Sequence, residues 1–290
     1  MLRRRQRRTR RQPRFRGLSI NKVIPNAITV SATCAGLTGI RFAIEGRWEY
    51  AAAAILIAAV LDALDGRMAR LLKASSEFGA ELDSLSDFVS FGAAPAMIMY
   101  YWLLNGLGGI GWAVALFFAI CMGLRLARFN SSLDKLPPYA YNYFQGVPAP
   151  AGAGLALLPM LLTFVLPEVK EYMAPELIAV WLLGAALLLV SSLPTYSFKK
   201  MKIPPHMMIP GLALFALALA LLVGKTWATM SVVLIGYLAT FPFSYRSYMR
   251  LKAEAEHIQG LDDEEGGQGP GDSGDADGGD GNPVQLRSVD

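Results

Sequence analysis

The chain has 290 residues, 53% of them hydrophobic and 17% charged, with a mean hydropathy of +0.36. That profile excludes an ordinary soluble globule and fits a membrane protein with polar tails. The formal net charge of +4 hides an asymmetry: residues 1–22 carry nine Arg and one Lys with no acid, whereas 262–290 carry nine acids against Arg287.

The first element is a basic arm over residues 1–22. Its composition would suit nucleic acid, but an apolar run begins almost at once, so contact with anionic headgroups and a cytoplasmic N-terminus are expected, with no nucleic-acid partner. A cleavable signal peptide would also start basic, yet the first apolar run flows into the second without a persuasive cleavage site. Eight spans follow at about 20 residues each: 25–44, 50–71, 82–104, 110–129, 148–166, 176–193, 207–223 and 227–244. If the arm is cytoplasmic, the segments 70–81, 129–147, 194–206 and the C-terminal tail are too, and they hold most of the remaining Lys and Arg. This positive-inside bias supports eight spans with both termini cytoplasmic. The fold class is therefore read as all-α, a polytopic membrane protein with about eight transmembrane helices. Its domains are the arm, a membrane domain over 23–245, and a cytoplasmic tail over 246–290 that is acidic and disordered from about 262.

Pro25 opens the first span at an N1-like position, with Asn26 at its mouth and Thr29, Ser31 and Thr33 making it unusually polar. Asn26 and Thr29 lie at the same end as the acids that follow, which makes them candidates to face a ligand. Cys34 and Cys121 sit in apolar runs and read as buried small hydrophobes rather than a disulfide.

The end of the second span and the start of the third carry the chemistry. Asp62, Asp65, Gly66 and Ala69 share one stripe of a helix at about 100° per residue, with Arg70 at its edge. Gly79, Asp83 and Asp87 are spaced i, i+4, i+8 on a second helix. A short turn between them can aim four carboxylates at one small volume. Four such charges repel unless divalent cations neutralise them, and hard oxygen ligands suit Mg²⁺, Mn²⁺ or Ca²⁺. Gly66 and Gly79 leave room for a ligand beside the acids, and the planar fork of Arg70 suits phosphate. The same acids also admit a cation-transport reading, although transport predicts acids spread through the membrane depth rather than gathered at one face.

Beyond Asp87, Gly92 and Pro95 are expected to loosen the third helix, and Ser90, one turn from Asp87, can face the pocket. The fourth span closes on Arg125, Arg128 and Asn130, and a Tyr- and Pro-rich loop follows with Lys135. Spans six to eight contain almost no polar side chains and read as packing, lipid contact or subunit interface.

The pattern D-x2-D-G-x2-A-R-x8-G-x3-D-x3-D over Asp62–Asp87 matches at all eight specified residues and resembles the signature of the CDP-alcohol phosphatidyltransferases. The stretches Asp87–Pro95, Arg125–Asn130 and Phe144–Pro150 resemble the phosphatidylserine synthase branch of that family. The resemblance covers about residues 20–240. It implies two divalent cations, Mg²⁺ or Mn²⁺, held by Asp62, Asp65, Asp83 and Asp87. It assigns Gly66, Ala69, Arg70 and Gly79 to the CDP moiety, with Asn26 and Thr29 beside them, and Asp87 also to the catalytic base. The implied reaction moves the phosphatidyl group of CDP-diacylglycerol to the hydroxyl of L-serine by direct displacement, giving phosphatidylserine and CMP. Choline, glycerol phosphate or inositol phosphate are the alternative acceptors. Arg128, Asn130, Lys135 and Ser90 are candidates for the serine or phosphate pocket by location. A homodimer in a bacterial cytoplasmic membrane is implied by the family.

Overall fold

The computed structural model describes residues 20–74, 76–132, 143–191, 194–196 and 208–241. The basic arm up to residue 19, Lys135 and the tail from 246 lie outside the described residues. The described chain is helical apart from one three-residue ladder. The helices are α1 (Ile20–Ile44), α2 (Trp48–Leu71), α3 (Glu77–Asp87), α4 (Ala94–Trp102), α5 (Gly109–Ser132), α6 (Ala149–Val165), α7 (Pro175–Val190), α8 (Met208–Gly224) and α9 (Thr226–Phe241). Strands β1 (Tyr143–Gln145) and β2 (Pro194–Tyr196) pair antiparallel, with Tyr143 opposite Tyr196. Within the described residues the apolar segments fall mainly on helix, and two stretches, Val23–Ile44 and Gly109–Ser131, are long and apolar enough to cross a membrane.

Small residues let the first two helices meet closely. A Cβ on Gly39 would lie 3.3 Å from Ala51 O, and Ala51, Ala54 and Ala58 are buried on the facing side of α2. Removing side chains from a contact lets two backbones approach and gather dispersion contacts along their length. A tight turn joins the pair: Gly46 takes φ +71°, Arg47 N–H bonds to Phe42 O at 2.8 Å, and the Arg47 guanidinium covers the Tyr50 ring at 4.1 Å.

Two local features depart from the expected helix map. α1 begins at Ile20, so Pro25 lies inside the helix rather than at its N1 position. Its missing N–H removes one backbone bond near the start of the helix, where the loss is small. The third segment is interrupted: Phe88–Ala93 winds as a π-helix between α3 and α4, and Ala94 N–H reaches back to Val89 O. Pro95, which has no N–H, stands just after this wide turn, in keeping with the expected loosening at Gly92 and Pro95. The wide turn lets α3 and α4 present different faces to their neighbours.

The core runs between α2, α4, α5, α6 and α7, with Phe91, Ile98, Met99, Phe118, Met122, Leu155 and Leu182 fully buried. Trp181 Nε1–H donates to Leu155 O at 2.8 Å and ties α7 to α6. α9 docks on α6, where Leu234 fills the space beside Gly154 and Trp227 meets Phe164 edge to face at 5.4 Å. Cys121 is buried as a small hydrophobe, whereas Cys34 is exposed on α1, because that helix is apolar on its outer side too.

Candidate active site

A short turn brings the acidic ends of α2 and α3 together. α2 ends in a Schellman arrangement: Ala74 N–H bonds to Ala69 O at 2.9 Å and Lys73 N–H to Arg70 O at 3.2 Å. Lys73 takes φ +48°, the left-handed position usually given to glycine. Ser76 then caps α3, its Oγ accepting Gly79 N–H at 3.1 Å, which satisfies one of the amides a helix start leaves open.

Asp62, Asp83 and Asp87 each offer one carboxylate oxygen, and these three atoms lie within 4.8 Å of one another. Asp65 stands beside the trio. It is buried, and its Oδ2 accepts a 2.6 Å hydrogen bond from Thr29 Oγ1 on α1, while its charge still acts on Asp83. Further bonds hold α3 to α1 behind the carboxylates: Ser86 Oγ–H donates to Thr29 O at 3.1 Å and Thr33 Oγ1–H to Ser86 Oγ at 2.9 Å.

A cleft of about 220 Å³ opens beside the trio between α1, α2 and α3. Asn26, Thr29, Gly66, Ala69, Arg70 and Gly79 line it, together with Asp65 and Asp83. The two glycines serve it differently. A Cβ on Gly79 would come within 3.1 Å of Asn26 Oδ1 and Ser76 Oγ, so its space is taken up by neighbouring side chains. A Cβ on Gly66 would meet nothing nearer than Arg70 Nη1 at 4.0 Å, so its space belongs to the cleft.

The trio suits a divalent cation on its own chemistry. It supplies hard carboxylate oxygens, and Asp87 Oδ1 is buried with no hydrogen-bond partner among the described residues. A buried carboxylate oxygen without a partner is costly unless something positive meets it.

The expected acceptor-pocket residues separate. Ser90 is turned onto α1: its Oγ–H donates to Ala32 O at 3.1 Å, and a Cβ on Gly36 would come within 2.8 Å of it. It packs two helices and does not face the aspartates. Arg128 is exposed, and its Nη1–H donates to Val190 O at 3.2 Å at the end of α7. Asn130 Nδ2–H donates to Ser84 Oγ at 2.9 Å, one turn from Asp87 and at the rim of the site.

Arg125 is partly buried on α5, where its Nε–H donates to Val147 O at 3.1 Å, and it lies within electrostatic range of Asp87 and Asp62 without an ion pair to either among the described residues. Its sequence gave a signal: it stands i+3, i+4 and i+7 from Met122, Cys121 and Phe118, all buried. Because α5 is apolar on every side, that stripe is told from the outer one only by packing. Tyr237 on α9, which stacks edge to face with Phe241 at 5.2 Å, carries no sequence signal beyond being a polar group in an apolar helix.

Residues 22–192 match the family model for CDP-alcohol phosphatidyltransferase. A CDP-diacylglycerol--serine O-phosphatidyltransferase of Mycobacterium tuberculosis (strain ATCC 25618 / H37Rv) is 38% identical over 250 residues, covering 86% of this chain and 85% of the relative. A protein of the same name from Helicobacter pylori (strain ATCC 700392 / 26695) is 37% identical over 180 residues, 62% of this chain and 74% of the relative. One from Saccharomyces cerevisiae (strain ATCC 204508 / S288c) is 40% identical over 131 residues, 41% of this chain and 45% of the relative.

Proposed function

The chain belongs to the CDP-alcohol phosphatidyltransferase family, and from that premise we infer that it transfers the phosphatidyl group of CDP-diacylglycerol to the hydroxyl of L-serine, giving phosphatidylserine and CMP. The observation that carries the chemistry is the convergence of Asp62, Asp83 and Asp87 beside a cleft lined by the small residues and the arginine of the same motif. The choice of serine rests on relatives of that name matching over most of the chain.

Asp62, Asp83 and Asp87 would hold divalent cations, Mg²⁺ or Mn²⁺, with Asp65 completing the set from its place against Thr29. When bound, the cations neutralise the pyrophosphate and stabilise the departing CMP. The chain's own residues do the rest. Gly66 and Ala69 admit the nucleotide close to the backbone of α2, Gly79 lines the cleft at the start of α3, and Arg70 meets its phosphates. Asp87 takes the proton of the serine hydroxyl as that oxygen bonds to the lipid-linked phosphorus and the bond to CMP breaks. Direct displacement without a covalent phosphatidyl-enzyme is the reading carried from the family resemblance.

The protein is a membrane protein, which its apolar helices and its family support. Eight spans with both termini on the cytoplasmic side put the aspartates at the cytoplasmic face, and the distribution of Lys and Arg supports that orientation. Residues 23–245 form the membrane domain, flanked by the basic arm and the acidic tail. The homodimer is carried on the family alone, and light scattering of the detergent-solubilised protein tests it.

Purified full-length protein in detergent, supplied with CDP-diacylglycerol, Mn²⁺ or Mg²⁺ and each candidate alcohol in turn, is assayed for CMP release. Serine-dependent release that EDTA abolishes is the expected result. Release with choline, glycerol phosphate or inositol phosphate alone would move the acceptor and leave the site standing. No release from folded protein would reject the reaction.

A further inference from the structure

One residue of α1 touches both of the helices that carry the aspartates. Thr29 Oγ1–H donates to Asp65 Oδ2 on α2 at 2.6 Å, while its backbone O accepts Ser86 Oγ–H from α3 at 3.1 Å. Thr33 Oγ1–H completes the chain by donating to Ser86 Oγ at 2.9 Å. Thr29, Asp65 and Ser86 are all buried, so each bond that is lost leaves a polar group with no water to replace the partner.

Ser86 does not act alone in joining α3 to α1. Ser90 Oγ–H donates to Ala32 O at 3.1 Å, so two serines about one turn apart bond to two α1 carbonyls about one turn apart. The start of the π-helical turn at Phe88 lies between them. Gly36 permits the approach, because a Cβ there would come within 2.8 Å of Ser90 Cα. Interhelical hydrogen bonds are among the few forces that join helices in lipid, and a hydroxyl aimed at one carbonyl fixes rotation as well as height.

Rotation decides where the aspartates point. At about 100° per residue, Asp83 and Asp87 lie about 60° and about 100° round α3 from Ser86, both on the same side. Seating Ser86 on Thr29 O therefore aims both carboxylates, and the hydroxyl of the same threonine holds Asp65 on α2.

We propose that Thr29 and Ser86 are positioning residues for the cation site: through α1 they hold the carboxylates of α2 and α3 at the spacing a divalent cation requires. The inference rests on the reading of Asp62, Asp65, Asp83 and Asp87 as cation ligands. It gives Ser86 a task, although Ser86 falls in one of the unspecified positions between Asp83 and Asp87.

The test measures Mn²⁺ binding to the full-length protein in detergent, read without either substrate from the electron paramagnetic resonance signal of the free ion. Ser86→Ala and Thr29→Val are each expected to raise the Mn²⁺ Kd by about 10-fold, the usual effect of removing a group that orients a metal ligand. Thr29→Ser keeps the hydroxyl and is expected to bind Mn²⁺ as the wild type does. In CMP release, the Mn²⁺ concentration that gives half the maximal rate should rise in Ser86→Ala and Thr29→Val, whereas the KM for L-serine at saturating Mn²⁺ should not. A lowered unfolding temperature with an unchanged Mn²⁺ Kd would overturn the proposal and leave both bonds as helix packing alone. Equal losses in Thr29→Ser and Thr29→Val would overturn the part of Thr29, since the methyl group and not the hydroxyl would then matter. Should Ser86→Ala not fold, the two Thr29 variants decide. Folded wild-type protein that binds no Mn²⁺ would reject the cation reading itself, and this inference with it.

Discussion

Thr29 Oγ1 donates a 2.6 Å hydrogen bond to Asp65 Oδ2, and each residue is only 4% exposed. Pro25 O also lies 3.1 Å from the same hydroxyl, but one O–H has one proton, and the shorter, charge-assisted bond takes it. Thr29→Val keeps the shape and deletes the donor. It should cost about 1–3 kcal/mol of stability through the buried carboxylate left without its partner. Denaturant unfolding in detergent measures this, and an unchanged midpoint would mean that water or another group replaces the hydroxyl.

Asp87→Asn removes the proposed base and one of the trio's charges. Serine-dependent CMP release should fall by at least about 10²–10⁴-fold, while helix content stays the same. Initial rates and circular dichroism on the same preparation separate the two. Retention of more than a tenth of the rate would move the base elsewhere.

Metal binding should be visible without turnover. A ligand that binds only the folded state at about 100 times its Kd adds about 2.7 kcal/mol of stability, so Mn²⁺ should raise the unfolding temperature and EDTA should reverse it. Asp83→Asn and Asp62→Asn should each abolish the shift. If Asp83→Asn stabilises with Mn²⁺ as the wild type does, the three carboxylates are not the cation site.

Two glycines should respond in opposite ways. Gly66→Ala meets open space, so the unfolding temperature should stay within error while the KM for CDP-diacylglycerol rises. Gly36→Ala places a Cβ 2.8 Å from Ser90 Cα and Oγ, and overpacking of this kind costs about 1–3 kcal/mol. Its effect should be on stability first. A Gly66→Ala protein with normal substrate KM would show that the cleft beside α2 is not where the nucleotide sits.

The sequence by itself determined whatever is local to one helix. A repeat of about 3.6 residues per turn fixes Asp62, Asp65, Gly66 and Ala69 to one stripe and Gly79, Asp83 and Asp87 to another. Eight apolar runs likewise announce eight helical segments, because a buried or lipid-facing backbone has to satisfy its own hydrogen bonds. Tertiary structure alone decided how each helix is rotated against its neighbours. The start of α1 before Pro25 and the π-helical turn at Phe88–Ala93 alter those rotations. Contacts such as Gly36 with Ser90 and Gly92 with Met122 then lock them. The result sends Ser90 onto α1 and Asp65 to Thr29, and leaves Arg125 partly buried while Arg128 is exposed. An all-apolar helix has no inner or outer side until another helix packs on it, and that is why the sequence of α5 did not tell which of Arg125 and Arg128 turns inward.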